Sequence, residues 1–185
     1  MGAGLWKSSS AGERMDVYDE NRRPTGRTQL RGETVRPGDC LTVVHVCLFD
    51  GAGRMLIQQR QSCKRSFPDL WDLSVGGAVQ AGETSREAAR RETLEELGLE
   101  LDLSGVRPSL TVGFDDGFDD LYLLRRDVKT ENLRLQAEEV RAVRWADWEQ
   151  VSALAESGAF VPYYPGFLRL LFEMQDRSGF LRPKT

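Results

Sequence analysis

The chain has 185 residues, 40% of them hydrophobic and 29% charged, with a formal net charge of −4, which suits one globular domain whose core needs no disulfide or metal staple. That acidic balance leaves no chain-wide electrostatic footprint for nucleic acid, so an anionic ligand has to be held by a local site. Three cysteines, Cys40, Cys47 and Cys63, lack CxxC spacing and encode neither a disulfide framework nor a thiolate zinc site, so a reducing, cytoplasmic setting is expected. No apolar run is long enough to span a bilayer, and no signal peptide is read at the N-terminus.

In chain order, residues 1–12 are small and polar apart from Leu5 and Trp6 and are expected to be a flexible tail. A hairpin entry follows from Met15, with Asn21, Pro24 and Gly26 as turn formers. The Val- and Leu-rich run Leu41 to Phe49 predicts a buried strand, and Asp50 to Gly53 a turn into a second strand over 54–59, the two forming a hairpin. An irregular loop with Lys64, Arg65, Pro68 and Trp71 should then deliver the chain to a glycine turn at Gly76 and Gly77. Thr84 followed by Glu87 matches a capping box, and Gly98 stands where a left-handed helix end belongs, which predicts a helix over about residues 85–97. Strands are expected at Val106 to Phe114, Leu121 to Arg126 and Val140 to Trp145, with Asp115 to Gly117 turning between the first two. Asp147 should cap a helix through Glu156, and Phe167, Leu170, Leu171 and Met174 recur at helical intervals. The layout is thus a tail at 1–12, one α/β domain over 13–177 and a C-terminal tail at 178–185.

On the predicted helix, Ala88, Glu92, Glu95 and Glu96 share one arc with Arg91 at its border, whereas Ala89, Thr93 and Leu97 share another. Carboxylates this close repel one another, so a positive group should sit among them. Oxygen ligands suit Mg²⁺ better than zinc, and the chain's single histidine reinforces that choice. A solvated charged face is the bland alternative. The spacing, however, continues outward into GAVQAGETSREAARRETLEELGL, from Gly77 to Leu99. This string resembles the Nudix box: Gly77, Glu83, Arg91, Glu92, Glu95, Glu96, Gly98 and Leu99 all match, and only Thr93 departs, at a position the pattern keeps aliphatic. Leu56 to Arg60, Trp71-Asp72 and Glu138 to Val140 are also similar to that family, so the resemblance covers about residues 14–175.

The resemblance implies an α/β/α sandwich around a mixed sheet and a Mg²⁺-dependent hydrolase, with Mn²⁺ as a substitute. The expected substrate is a small diphosphate, a nucleoside diphosphate derivative or a relative of one, and not a nucleic acid polymer; a monomer or homodimer away from membranes is expected. It further implies Glu92, Glu95, Glu96 and the Gly76 carbonyl as metal ligands, with Glu92 a ligand or the base, Arg91 orienting the glutamates and Glu83 buttressing the loop. Arg60, Lys64 and Arg65 are candidates for phosphate binding, since guanidinium forks suit phosphate oxygens. Glu139 is a candidate further carboxylate. His45, amid Val43, Val44 and Val46, is read as a hydrogen-bonded core histidine, and Asp115, Asp116, Asp119 and Asp120 as solvated turn residues.

Two rivals remain. The strings MDVYDENRRPTG and WDLSVGGAVQAGE are most similar to the branch related to isopentenyl-diphosphate isomerase, whose chemistry needs a cysteine and histidine ligands; Gly76 and Ala78 stand at the matching positions here. A non-catalytic nucleotide-binding domain would be expected to show an eroded box, and this box is intact.

Overall fold

The computed structural model describes residues 12–175, so the two expected tails lie outside the described residues apart from Gly12. The turn formers near the N-terminus produce an antiparallel hairpin of β1 (Arg14–Asp19) and β2 (Pro24–Leu30). Beyond it, β3 (Asp39–Phe49) is buried almost throughout, as its Val- and Leu-rich composition requires.

β3 organises the molecule. Along one edge it runs parallel to β8 (Gly117–Arg125), and along the other it pairs antiparallel with β1 and with β6 (Val75–Ala78). β7 (Leu110–Phe114) pairs with β8, while β4 (Met55–Arg60) pairs with β5 (Trp71–Asp72) and β9 (Val140–Ala146). The sheet is therefore mixed. Successive β3 side chains point to opposite faces, so Val44, Val46 and Leu48 join Ala88, Ala89 and Leu97 of helix α1 (Ser85–Leu97) in one layer. Cys47 and Phe49 join Val151 of α2 (Trp148–Glu156) and Leu168, Leu171 and Phe172 of α3 (Pro165–Met174) in the other. Each fully buried leucine or phenylalanine in these layers contributes about 1.5–3 kcal/mol relative to exposure. The result is the α/β/α sandwich around a mixed sheet that the resemblance implies.

Three expectations need correction in detail. The hairpin of β3 and β4 pairs only at Phe49 and Met55 before the strands part. Ser74 fills the opening: its buried hydroxyl accepts from the Leu48 N–H at 2.8 Å and donates to the Leu56 carbonyl, so both backbone groups stay satisfied. Gly76 and Gly77 form no turn; they lie within β6, and the left-handed turn glycine is Gly82, with φ of +84°. Asp119 and Asp120 are not solvated, because β8 begins at Gly117 and carries both into the interior.

Candidate active site

Local chemistry sets the ends of α1. Thr84 and Glu87 form the reciprocal capping box, and Gly98 closes the helix with φ of 64°. Between them Ala88, Ala89, Glu92, Thr93, Glu96 and Leu97 are buried, so two of the three glutamates lie beside the core stripe. Thr93 costs little there, since its hydroxyl donates to the Ala89 carbonyl at 2.7 Å.

Arg91 is the positive group among the carboxylates. Its guanidinium grips Glu83 through two hydrogen bonds of 2.8 and 2.9 Å, donates to the Ala78 carbonyl at 2.9 Å and approaches Glu95 at 3.2 Å. Glu83 in turn accepts from the Gln80 N–H, which ties the loop before α1 to the helix. Glu92 Oε1 lies 2.8 Å from Arg91 Nη1 but out of line for a hydrogen bond. The glycines of β6 are needed for contact. A Cβ on Gly77 would stand 2.1 Å from the Glu92 carboxylate, and one on Gly76 would stand 2.8 Å from the His45 ring.

These carboxylates face a cavity of about 150 Å³, whose walls include Glu92, Glu95, Glu96, Gly76, Arg60 and Lys64. Three cations that line the same cavity each carry an acidic partner from a different part of the chain: Arg31 with Glu13, Arg60 with Asp72 and Lys64 with Glu139. Burial first, and Arg60 next, push the Lys64 ammonium down to about 8. Burial also pushes the Glu96 carboxyl up to about 8, with Glu92 adding to the shift, and burial raises Glu92 in the same direction. Gln58 donates to Glu96 at 3.0 Å.

The NUDIX domain sequence profile matches residues 40–167. The chain belongs to the Nudix hydrolase family. A Nudix hydrolase of Listeria monocytogenes is 45% identical over 166 residues, covering 90% of this chain and 97% of that one. Nudix hydrolase 3 of Arabidopsis thaliana is 34% identical across 83% of this chain and 22% of its own. Among solved structures, a Deinococcus radiodurans protein superposes with a TM-score of 0.72 at 28% identity, covering 86% of this chain and 99% of that one. At family level, membership carries pyrophosphohydrolase activity on a diphosphate-containing substrate and the use of a divalent metal.

Within this Nudix site the fold brings Gly76, Glu92, Glu95, Glu96, Arg60, Lys64 and Glu139 to one cavity, whereas Arg91 and Glu83 brace it from outside. Arg65 is exposed and absent from the lining. Arg60 pairs with Asp72 rather than with a helix glutamate, and it also donates to the Ser66 carbonyl at 3.2 Å. Sequence reading missed a buried polar chain that reaches the cavity lining through His45, Tyr163 and Asp72. His45 Nδ1 meets Asp119 at 2.8 Å, its Nε2 lies 3.4 Å from the Tyr163 hydroxyl, and Tyr163 donates to Asp72 at 2.9 Å. Burial alone would lower the His45 pKa, but Asp119 overrides it and raises the imidazole above its ordinary value. The alternation of β3 was the available signal, because it places His45 on the face opposite Val44 and Val46.

Proposed function

We propose that the chain hydrolyses the diphosphate linkage of a nucleoside diphosphate derivative or a related small diphosphate, with Mg²⁺ held by Glu92, Glu95, Glu96 and the Gly76 carbonyl. The observation that carries this reading is the single cavity in which the box glutamates face Arg60 and Lys64. Among the described residues no three acidic, cysteine or histidine side chains form a ready-made cation cage. The donor set nevertheless fits Mg²⁺, which uses few carboxylates and fills its remaining positions with water and substrate oxygens. Two features of the chain support the fit. Glu92 Oε1 is buried without a hydrogen bond, and the Glu92 charge raises the cost of ionising Glu96. Both penalties fall when a cation stands between them.

A bound divalent ion would supply charge neutralisation and a more acidic water. Arg91 holds Glu92 and Glu95 toward the cavity while its grip on Glu83 fixes the loop. Arg60 and Lys64 bind phosphate oxygens in the same cavity, and Glu139 either orients Lys64 or joins the acidic set. Glu92 serves as a metal ligand or, in the alternative, as the base that accepts a proton from the attacking water.

Within the family we place the chain near the isopentenyl-diphosphate-isomerase-like hydrolases on the two strings quoted above. Hydrolysis is favoured over isomerisation because Cys40, Cys47 and Cys63 all lie outside the cavity lining. The intact glutamate set favours catalysis over mere binding. Glu95→Gln and Glu96→Gln each remove an anionic ligand and should lower kcat on the order of 100-fold while circular dichroism stays unchanged. The assay uses dinucleotides, nucleotide sugars, nucleoside triphosphates and prenyl diphosphates with Mg²⁺ or Mn²⁺. Near-normal turnover in both variants would overturn the metal assignment.

A further inference from the structure

Arg31 lies at the end of the β1–β2 hairpin, outside the region matched by the family profile. Its side chain is only 11% exposed, and it lines the same cavity as Arg60 and Lys64. A guanidinium offers five N–H donors. Among the described residues, the side-chain hydrogen bond that Arg31 makes is the one from Nη1 to Glu13 at 2.7 Å. Its Nε is buried without a partner.

A buried, under-used guanidinium is costly, and a single salt bridge at a hairpin end does not explain it. Lysine, with its flexible stem, would serve such a bridge as well, whereas an arginine fork is suited to planar or tetrahedral oxyanions. The position agrees with this. Arg31 lines the cavity together with Glu92, Glu95 and Glu96 as well as with Arg60 and Lys64, so its free donors lie where an oxyanion held by the glutamate-bound cation would sit.

We propose that Arg31 is a third phosphate-binding cation of the site, so that the N-terminal hairpin supplies part of the substrate clamp. The proposal rests on the hydrolase reading above and adds the chemistry of the group bound. Arg31 from the hairpin end, and Arg60 and Lys64 from the end of β4 and the loop after it, line one small cavity, which suits an unsubstituted terminal phosphate with three free oxygens. A phosphate esterified on its outer side offers fewer oxygens and needs room for the ester group. Substrates ending in a free phosphate therefore gain more from Arg31 than those in which both phosphates are esterified.

The test is calorimetric titration of the full chain with inorganic pyrophosphate in Ca²⁺, with ADP-ribose as the doubly esterified comparison. Arg31→Ala should weaken pyrophosphate binding about tenfold or more, with a smaller loss for ADP-ribose. Arg31→Lys keeps the pairing with Glu13 but loses the fork, so it should bind at an intermediate strength. Glu13→Gln frees the guanidinium from a competing anion and should bind pyrophosphate at least as well as the native chain. Equal affinity of Arg31→Ala, Arg31→Lys and native protein overturns the proposal. So does a loss in Glu13→Gln matching that in Arg31→Ala, since the pair would then act only as a structural pin. If the native chain neither binds pyrophosphate nor hydrolyses any diphosphate, the hydrolase reading itself fails, and that result is distinct from either of the others.

Discussion

Gly77 shows how far a single residue can govern the site. Its φ is unexceptional, so backbone freedom is not the reason for glycine here. The reason is volume: the Glu92 carboxylate occupies the space a side chain would fill, with a Cβ-to-oxygen distance of 2.1 Å. Gly77→Ala must therefore displace Glu92, and, with Glu92 in its proposed role of metal ligand or base, a shift near 1 Å costs on the order of 100-fold in rate. We expect kcat to fall by that factor while the melting temperature changes by only a few degrees. A variant with native kcat would show that Glu92 does not act from its observed position. Thr93 illustrates the opposite case, since its departure from the family pattern is absorbed by one hydrogen bond to the helix backbone.

Among the elements, α1 is the most self-contained, because its cap, its closing glycine and its interior hydrogen bonds all lie within a short span of sequence. Its limits and its carboxylate stripe were accordingly legible from residue order. The β3–β4 unit was only half legible, because its strands separate after one pair and each finds a partner far along the chain. Ser74 holds that junction open. Ser74→Ala would leave a buried N–H at Leu48 and a buried carbonyl at Leu56 without this partner, at a cost of about 1–3 kcal/mol. Denaturant unfolding should show the loss as a lower midpoint with an unchanged slope, and a midpoint equal to the native value would refute the role assigned to Ser74.

Over the whole molecule, the N-terminal hairpin is closed at its open end by Arg31–Glu13 and is fastened to the rest of the sheet by the pairing of β1 with β3 and, at its turn, by Arg22–Asp120. Asp120 accepts from Arg22 Nη1 at 3.0 Å and from Thr111 at 2.6 Å. Burial alone would push the Asp120 carboxyl up, but the hydrogen bonds from Arg22, Thr111 and Ser85 override it and hold it below the usual carboxylate value. A carboxyl depressed in the folded state contributes stability that is fully present above its unfolded value, near pH 4, and is lost as pH falls through the folded value. Asp120→Asn should therefore destabilise the protein by about 1–2 kcal/mol at pH 7, after allowance for Arg22 being about one-third open to water. The gap between native and variant melting temperatures should stay level from pH 5 to 8 and narrow below pH 4. A gap independent of pH down to 2 would show that Asp120 does not act through its charge.

Sequence alone determined the features whose interactions are local: the ends of α1, the placement of three glutamates and one arginine along a single helix, and the hairpin and strand signals marked by turn residues. The spacing of Gly77, Glu83 and the helix carboxylates was likewise readable, since all lie within one short segment. Tertiary structure decided what stands opposite that helix. Lys64 meets Glu139 across 75 positions because β4 pairs with β9, and His45 meets Asp119 across 74 because β3 pairs in parallel with β8. Arg31 reaches the cavity only because β1 docks on β3. Helix hydrogen bonds close within four residues and leave a periodic trace in the sequence. Sheet pairing joins segments of any separation and leaves no such trace, so which cations face the glutamates could be learned only from the fold.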